Sequence, residues 1–275
     1  MKQRILTGLV LTPIALAIIL LSPTPLFAVI VALAWLVAAW EWTRLIGMTS
    51  IAARSATVVI TAALLGALWW SRGTEAWWIV IGAGLAWWLI ALLWLRNFSF
   101  GASPTRRNVG IKLVAGLLVL LPAWAALIEI HSHARLGPVW ALFALSLVWV
   151  ADSFAYFAGS RYGKTKLAPR VSPGKTIEGA CGALIGTSVF ALVCGWLLDE
   201  RGWALVLLLA LAVLVVGFSI VGDLFESLLK RQANVKDSGA LFPGHGGMLD
   251  RLDGVFAAMP VFALGKALID LAIPS

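Results

Sequence analysis

The chain has 275 residues, 61% of them hydrophobic and 12% charged, with a mean hydropathy of +0.96 and a formal charge of +8. A soluble domain carries about 45–50% apolar residues, so this composition excludes a soluble globular protein and leaves no long polar stretch for a separate soluble domain. Apolar runs of roughly 18–22 residues recur, each long enough to cross about 30 Å of hydrocarbon as a helix. Strand signals of the kind a closed barrel needs are absent, so the expected fold is an all-α, polytopic integral membrane helical protein.

In chain order, Lys2 and Arg4 lead into an apolar run that ends at Leu21, too long for a signal peptide, and a retained first helix is expected. About nine transmembrane helices are predicted, at 4–21, 26–43, 56–71, 76–95, 111–130, 139–160, 176–198, 203–229 and 252–273. Pro23, Pro25, Gly73, Pro104, Gly137, Pro173, Gly202 and the Pro243–Gly247 turn punctuate them. Residues 1–110 carry no recognisable motif and are assigned to support and dimer contact, whereas 111–275 are expected to form the catalytic region. Cys181 and Cys194 fall in one helix about 20 Å apart, too far for a disulfide, and read as small buried apolar residues. The fifteen tryptophans read as interface anchors and packing.

Charge sets the orientation. Seventeen cations (Lys2, Arg4, Arg44, Arg54, Arg96, Arg106, Arg107, Lys112, Arg161, Lys164, Lys166, Arg170, Lys175, Lys230, Arg231, Lys236 and Arg251) fall on one side of these spans. Three, Arg72, Arg135 and Arg201, fall on the other. By the positive-inside rule the N-terminus is cytoplasmic.

The segment from Ser227 to Asp253 concentrates Lys230, Arg231, Lys236, Asp237, His245, Asp250, Arg251 and Asp253 between two apolar runs. Asp152, Glu178, Asp223 and Glu226 fall in or at the ends of apolar helices, where a carboxylate costs about 2.5–3.5 kcal/mol at the helix centre, so each is a functional candidate. Glu41, Glu75 and Glu129 lie nearer span ends and receive no role. Asp223 and Ser227 share a helix face, and a turn through Pro243–Gly247 can return Asp250 to Asp223. Hard carboxylate and hydroxyl oxygens suit Mg²⁺, which keeps waters and takes phosphate oxygens; remote cysteines and scattered histidines argue against zinc. Gly244, Gly246 and Gly247 expose backbone N–H groups to anionic oxygens, and Lys230, Arg231, Lys236 and Arg251 can neutralise phosphate. His245 reads equally as a phosphate donor or a structural hydrogen-bonder.

A second polar segment runs Ser172, Pro173, Gly174, Lys175, Thr176, Ile177, Glu178, Gly179. A P-loop reading fails: the glycine it requires is Pro169 for one Gly-Lys-Thr and Ala158 for the other, and no strand is expected before either. A basic, hydroxyl-bearing loop at a helix N-terminus remains, suited to phosphate. His131 and His133 read as loop residues on the opposite side.

These residues resemble the signature of the phosphatidate cytidylyltransferases, the CDP-diacylglycerol synthases. The resemblance rests on Ser227, Lys230 and Arg231, Lys236 and Asp237, Pro243, His245 with Gly246 and Gly247, Asp250 and Arg251, and Asp253, all at the spacing of that signature. It extends to Asp152, Tyr156, Gly159, Gly163 and Lys164, and to Ser172, Pro173, Lys175, Thr176, Glu178 and Gly179, covering roughly 140–275. Gly174 stands where many members carry Lys or Asn. The resemblance implies synthesis of CDP-diacylglycerol and pyrophosphate from CTP and phosphatidic acid in phospholipid biosynthesis, with Mg²⁺ held by Asp223 and Asp250 and Ser227 nearby. It also implies a homodimer, a second, monovalent cation such as K⁺, and a site on the cytosolic side of a bacterial inner membrane. Catalytic roles are expected for Asp223, Ser227, Asp250, Lys230, Arg231, Lys236 and Asp237. Substrate contacts are expected from Asp152, Lys164, Ser172, Lys175, Thr176, Glu178, His245, Gly246, Gly247, Arg251 and Asp253. Membrane lipids are the other expected partners, and no nucleic acid is.

Two rivals differ in testable ways. A CTP-dependent kinase of a lipid alcohol would move the γ-phosphate to a hydroxyl and release CDP. A transporter would carry its polar residues near the midplane in broken helices, whereas here they cluster at one edge. A CDP-alcohol phosphotransferase lacks its required acidic pattern in this chain.

Overall fold

A computed structural model of the protein describes residues 2–241 and 246–273. Among the described residues nine helices run α1 Lys2–Leu21, α2 Thr24–Leu45, α3 Ile51–Trp70, α4 Glu75–Arg96, α5 Arg106–His131, α6 Gly137–Tyr162, α7 Ile177–Leu197, α8 Gly202–Gln232 and α9 Leu249–Ala272. Eight of them, α2 to α9, are long and apolar enough to cross a membrane; α1 contributes a shorter apolar stretch, Thr12–Leu21. The all-α polytopic expectation therefore holds. Several helices start earlier than hydropathy placed them, because polar caps lie outside the apolar window. Ser50 accepts a hydrogen bond from Ala53 N (3.4 Å) at the start of α3, and Thr105 accepts one from Asn108 N (3.2 Å) at the start of α5.

The most buried helices are α5 and α9, and α2, α4, α6 and α8 pack round them in one continuous apolar core. Outward faces stay apolar, with Val29, Leu33, Val59, Ile79, Leu93, Val114, Ile185 and Val193 exposed, as a lipid-facing surface requires. The tryptophans divide as packing and surface residues. Trp70, Trp196 and Trp203 are exposed, while the buried indoles join helices through their N–H groups. Trp35 donates to Leu120 O (3.0 Å), Trp42 to Lys112 O (2.9 Å), Trp124 to Ala28 O (3.1 Å) and Trp88 to Phe256 O (3.1 Å). The last bond has a covalent cause. Pro260 lies four residues beyond Phe256 and has no N–H, so the Phe256 carbonyl lacks its helical donor and the Trp88 indole supplies one.

Three expectations need correction. The segment before α7 is a β-hairpin and not a loop: β1, Lys166–Ala168, pairs antiparallel with β2, Ser172–Thr176, in the register Lys166 to Thr176 and Ala168 to Ser172. Pro173 and Gly174 hid it, since both are poor strand formers. His131 is not a loop residue. It ends α5 almost fully buried, with Nε2 3.0 Å from Ile19 O and Nδ1 3.1 Å from Thr24 Oγ1, stacked on Phe27. Cys181 is exposed rather than buried, because it sits on the outer face of α7; both cysteines are free. At the end of α9 remote from its N-terminus, buried Lys266 pairs with Asp270 and lies 3.6 Å from Glu200, and His133 also reaches Asp270 (3.0 Å).

Candidate active site

Helix length lets α8 carry polar residues beyond the hydrocarbon core. With 31 residues, α8 is about 46 Å long at 1.5 Å per residue, against roughly 30 Å of hydrocarbon. Its last turns carry Asp223, Glu226, Ser227 and Lys230 as one stripe, because these positions fall three and four residues apart. Two side-chain clusters form at the two ends of that stripe.

The first cluster surrounds a cavity of about 410 Å³ between α6, the hairpin, α7 and α8. Asp152 of α6, Lys175 and Thr176 of β2 and Asp223 of α8 line it, with Ala151, Ala155, Ala183 and Ile220 as its apolar wall and Tyr156 at its edge. Lys175 forms an ion pair with Asp223, and Ser227 Oγ stands 3.4 Å from Asp223 Oδ1. The hairpin holds Lys175 in place through its neighbours. Thr176 caps α7 by accepting from Gly179 N (3.1 Å), and the Glu178 carboxylate accepts from the backbone N–H groups of Lys164 (3.1 Å) and Thr165 (3.1 and 3.2 Å). Ser172 lies half-buried in β2, and the Lys164 side chain is exposed.

The second cluster centres on Asp250 in the first turn of α9. Its Oδ1 is 2.7 Å from Lys230 Nζ. Its Oδ2 accepts from Ser238 N (2.9 Å), Ser238 Oγ (2.9 Å) and Gly247 N (2.8 Å). Lys230 also lies 3.3 Å from the buried Glu226. Arg231 donates from Nε to Val171 O (3.3 Å), tying α8 to the hairpin. Asp253 accepts from Gly254 N (2.7 Å). A side chain at Gly246 would meet the Asp250 carboxylate. Lys236, Asp237 and Arg251 are exposed. His245, with Pro243 and Gly244, lies outside the described residues.

Among the described residues no three His, Cys, Asp or Glu side chains form a ready-made metal cage. Mg²⁺ does not need one, since it is bound through one or two carboxylates together with waters and substrate phosphates. The donor set suits it: Asp223 and Asp152 both face the cavity, and among the described residues Asp250 Oδ1 has a single protein partner, Lys230.

Two contributors escaped sequence reading. Ser238 is fully buried and bonded to Asp250, and Glu41 of α2 is buried against the same segment. No local signal marks either one, since both act through contacts between distant parts of the chain.

A polytopic helical bundle with a carboxylate-and-cation cavity beside an apolar wall combines polar groups that suit phosphate with an apolar surface that suits a lipid chain. The cytidylyltransferase family matches residues 2–268. The chain is 44% identical over 266 residues to the phosphatidate cytidylyltransferase of Pseudomonas aeruginosa, covering 96% of each. It is 32% identical over 282 residues to that of Haemophilus influenzae, covering 96% of this chain and 97% of the relative. With that of Bacillus subtilis it shares 31% identity over 265 residues, covering 94% of this chain and 95% of the relative. The chain therefore belongs to the cytidylyltransferase family and is a nucleotidyltransferase.

Proposed function

We propose that this integral membrane enzyme transfers CMP from CTP to phosphatidic acid, giving CDP-diacylglycerol and pyrophosphate, at the cytosolic face of a bacterial inner membrane. The observation that carries the reading is the cavity where Lys175 meets Asp223 beside an apolar wall. CTP arrives from water and the lipid from the leaflet, and only an edge site serves both.

The residues need not supply a strong base. A phosphate monoester has its second pKa near 6, so the attacking oxygen of phosphatidic acid is already largely anionic at neutral pH. The barrier is the approach of two polyanions. Lys175, Lys230, Arg231, Lys236 and Arg251 clamp and neutralise phosphate oxygens, and Asp237 and Asp253 either orient those cations or bind the metal through water. Thr176 and Glu178 fix the hairpin so that Lys175 points into the cavity. Ser227 steadies the Asp223 carboxylate, and the apolar wall excludes water from the reacting phosphates. Asp223, with Asp152 facing the same cavity, and Asp250 from the neighbouring cluster would hold Mg²⁺, with a monovalent cation such as K⁺ as a second ion; such a metal would supply neutralisation of the triphosphate and of the departing pyrophosphate. The basic face attracts anionic lipid by about 1 kcal/mol per cation near the surface. The N-terminus is cytoplasmic on this reading, and the working unit is a homodimer.

The test offers purified protein CTP and Mg²⁺ with either phosphatidic acid or diacylglycerol in mixed micelles. A CDP-lipid formed from phosphatidic acid alone supports the reading. A phosphorylated product from diacylglycerol replaces it with a lipid-alcohol kinase.

A further inference from the structure

Glu41 lies on α2, about two hundred residues from the segment it touches, and is 6% exposed. Its carboxylate joins both ends of the connection between α8 and α9. One oxygen accepts from Met248 N (3.1 Å); the other accepts from Leu249 N (2.8 Å) and lies 3.1 Å from Ser238 Oγ. The amides at the start of a helix have no partners inside it, and the residue before α9, Met248, offers no side-chain cap. A carboxylate from another helix fills that place, where the helix dipole also favours negative charge. The fit is close: a Cβ at Gly239 or at Gly247 would collide with the Glu41 carboxylate.

The same contacts lead directly to Asp250. Ser238 Oγ stands 2.9 Å from Asp250 Oδ2 and 3.1 Å from Glu41, and its single proton serves one carboxylate at a time. Gly247 N also donates to Asp250 Oδ2 (2.8 Å). Whatever holds Ser238, Gly247 and the first turn of α9 thus fixes the carboxylate that meets Lys230. We infer that Glu41 is a positioning residue for CMP transfer, acting through Ser238 and the N-terminus of α9 to hold Asp250. The inference rests on the proposed reaction, and it gives the N-terminal helices a part in the site.

The test compares wild type, Glu41→Gln, Ser238→Ala, the double variant and the exposed control Glu75→Gln, using purified protein in mixed micelles. Turnover, the KM for phosphatidic acid, and amide exchange of peptides covering 238–250 are measured. Glu41→Gln keeps the shape but presents an NH₂ to backbone donors. It is expected to stay folded, to speed exchange in that segment, and to lower kcat about tenfold or more with KM within twofold. The double variant is expected to be no worse than the poorer single one, and Glu75→Gln to match wild type. Unchanged exchange in Glu41→Gln, or faster exchange with wild-type kcat, overturns the role. If wild type makes no CDP-lipid, the proposed reaction has failed and the role falls with it; an active wild type with an unaffected Glu41→Gln sinks the role of Glu41 alone.

Discussion

Lys175 on the β-hairpin and Asp223 on α8 form an ion pair at the lining of the cavity, each side chain a little over a quarter exposed (27% and 28%). The pair joins the two polar segments that stand nearly fifty residues apart. If each residue served only to neutralise the other, removing both charges would be tolerated. On the present account each has its own partner in the reaction, Lys175 a phosphate and Asp223 a metal. Lys175→Met and Asp223→Asn are each expected to lower CMP transfer by about 10²-fold or more, the scale of losing one transition-state donor. The double variant is expected to recover nothing. Initial rates at saturating CTP, with folding checked by thermal denaturation in detergent, measure this.

Metal removal gives the second prediction. The oxygen donors Asp152, Asp223 and Asp250 suit a small hard cation that retains waters. Chelation should abolish turnover, Mg²⁺ should restore it, and the larger Ca²⁺ should not. Activity surviving exhaustive chelation would remove the metal from the account.

Thr176 makes the third. Its side chain caps α7 at the residue next to Lys175. Thr176→Ala should destabilise the protein by about 1 kcal/mol, the usual value of an N-cap, and should weaken CTP use as Lys175 loses its support. Thr176→Ser should restore both, as read by melting temperature and the KM for CTP.

Packing between α6 and α7 shapes the cavity and gives the fourth. Gly186 faces the Phe154 ring so closely that an added Cβ would overlap it. Gly186→Val should cost about 1–3 kcal/mol, as overpacking typically does. A variant with an unchanged melting temperature would show that the two helices separate more freely than this packing implies.

The spans were legible because hydrocarbon thickness sets a length that hydropathy detects directly. The polar segment from Ser227 to Asp253 was legible because charge is so scarce elsewhere in the chain. The hairpin was not: β1 has three residues and β2 contains Pro173 and Gly174, so its pairing rests on backbone register and on the anchoring of Glu178, neither of which leaves a periodic pattern. Asp250, Lys230 and Gly247 stand out in the sequence, but Ser238 does not, since it meets Asp250 only after the chain turns. Glu41 was unreadable for the same reason at longer range. Its position near a span end looks like an ordinary interfacial acid, and only the three-dimensional contact with Leu249 and Ser238 sets it apart. The sequence likewise marks the indoles as packing residues, but the pairing of Trp88 with the carbonyl left free by Pro260 joins positions 168 residues apart and leaves no local pattern.

The most direct test follows the phosphates. CTP labelled at the α-phosphate and, separately, at the γ-phosphate is supplied with phosphatidic acid and Mg²⁺ to wild type and to Asp223→Asn. The account predicts α-label in the lipid and γ-label in released pyrophosphate for wild type, with both lost in the variant. γ-Label in the lipid, or α-label transfer undiminished in Asp223→Asn, would contradict it.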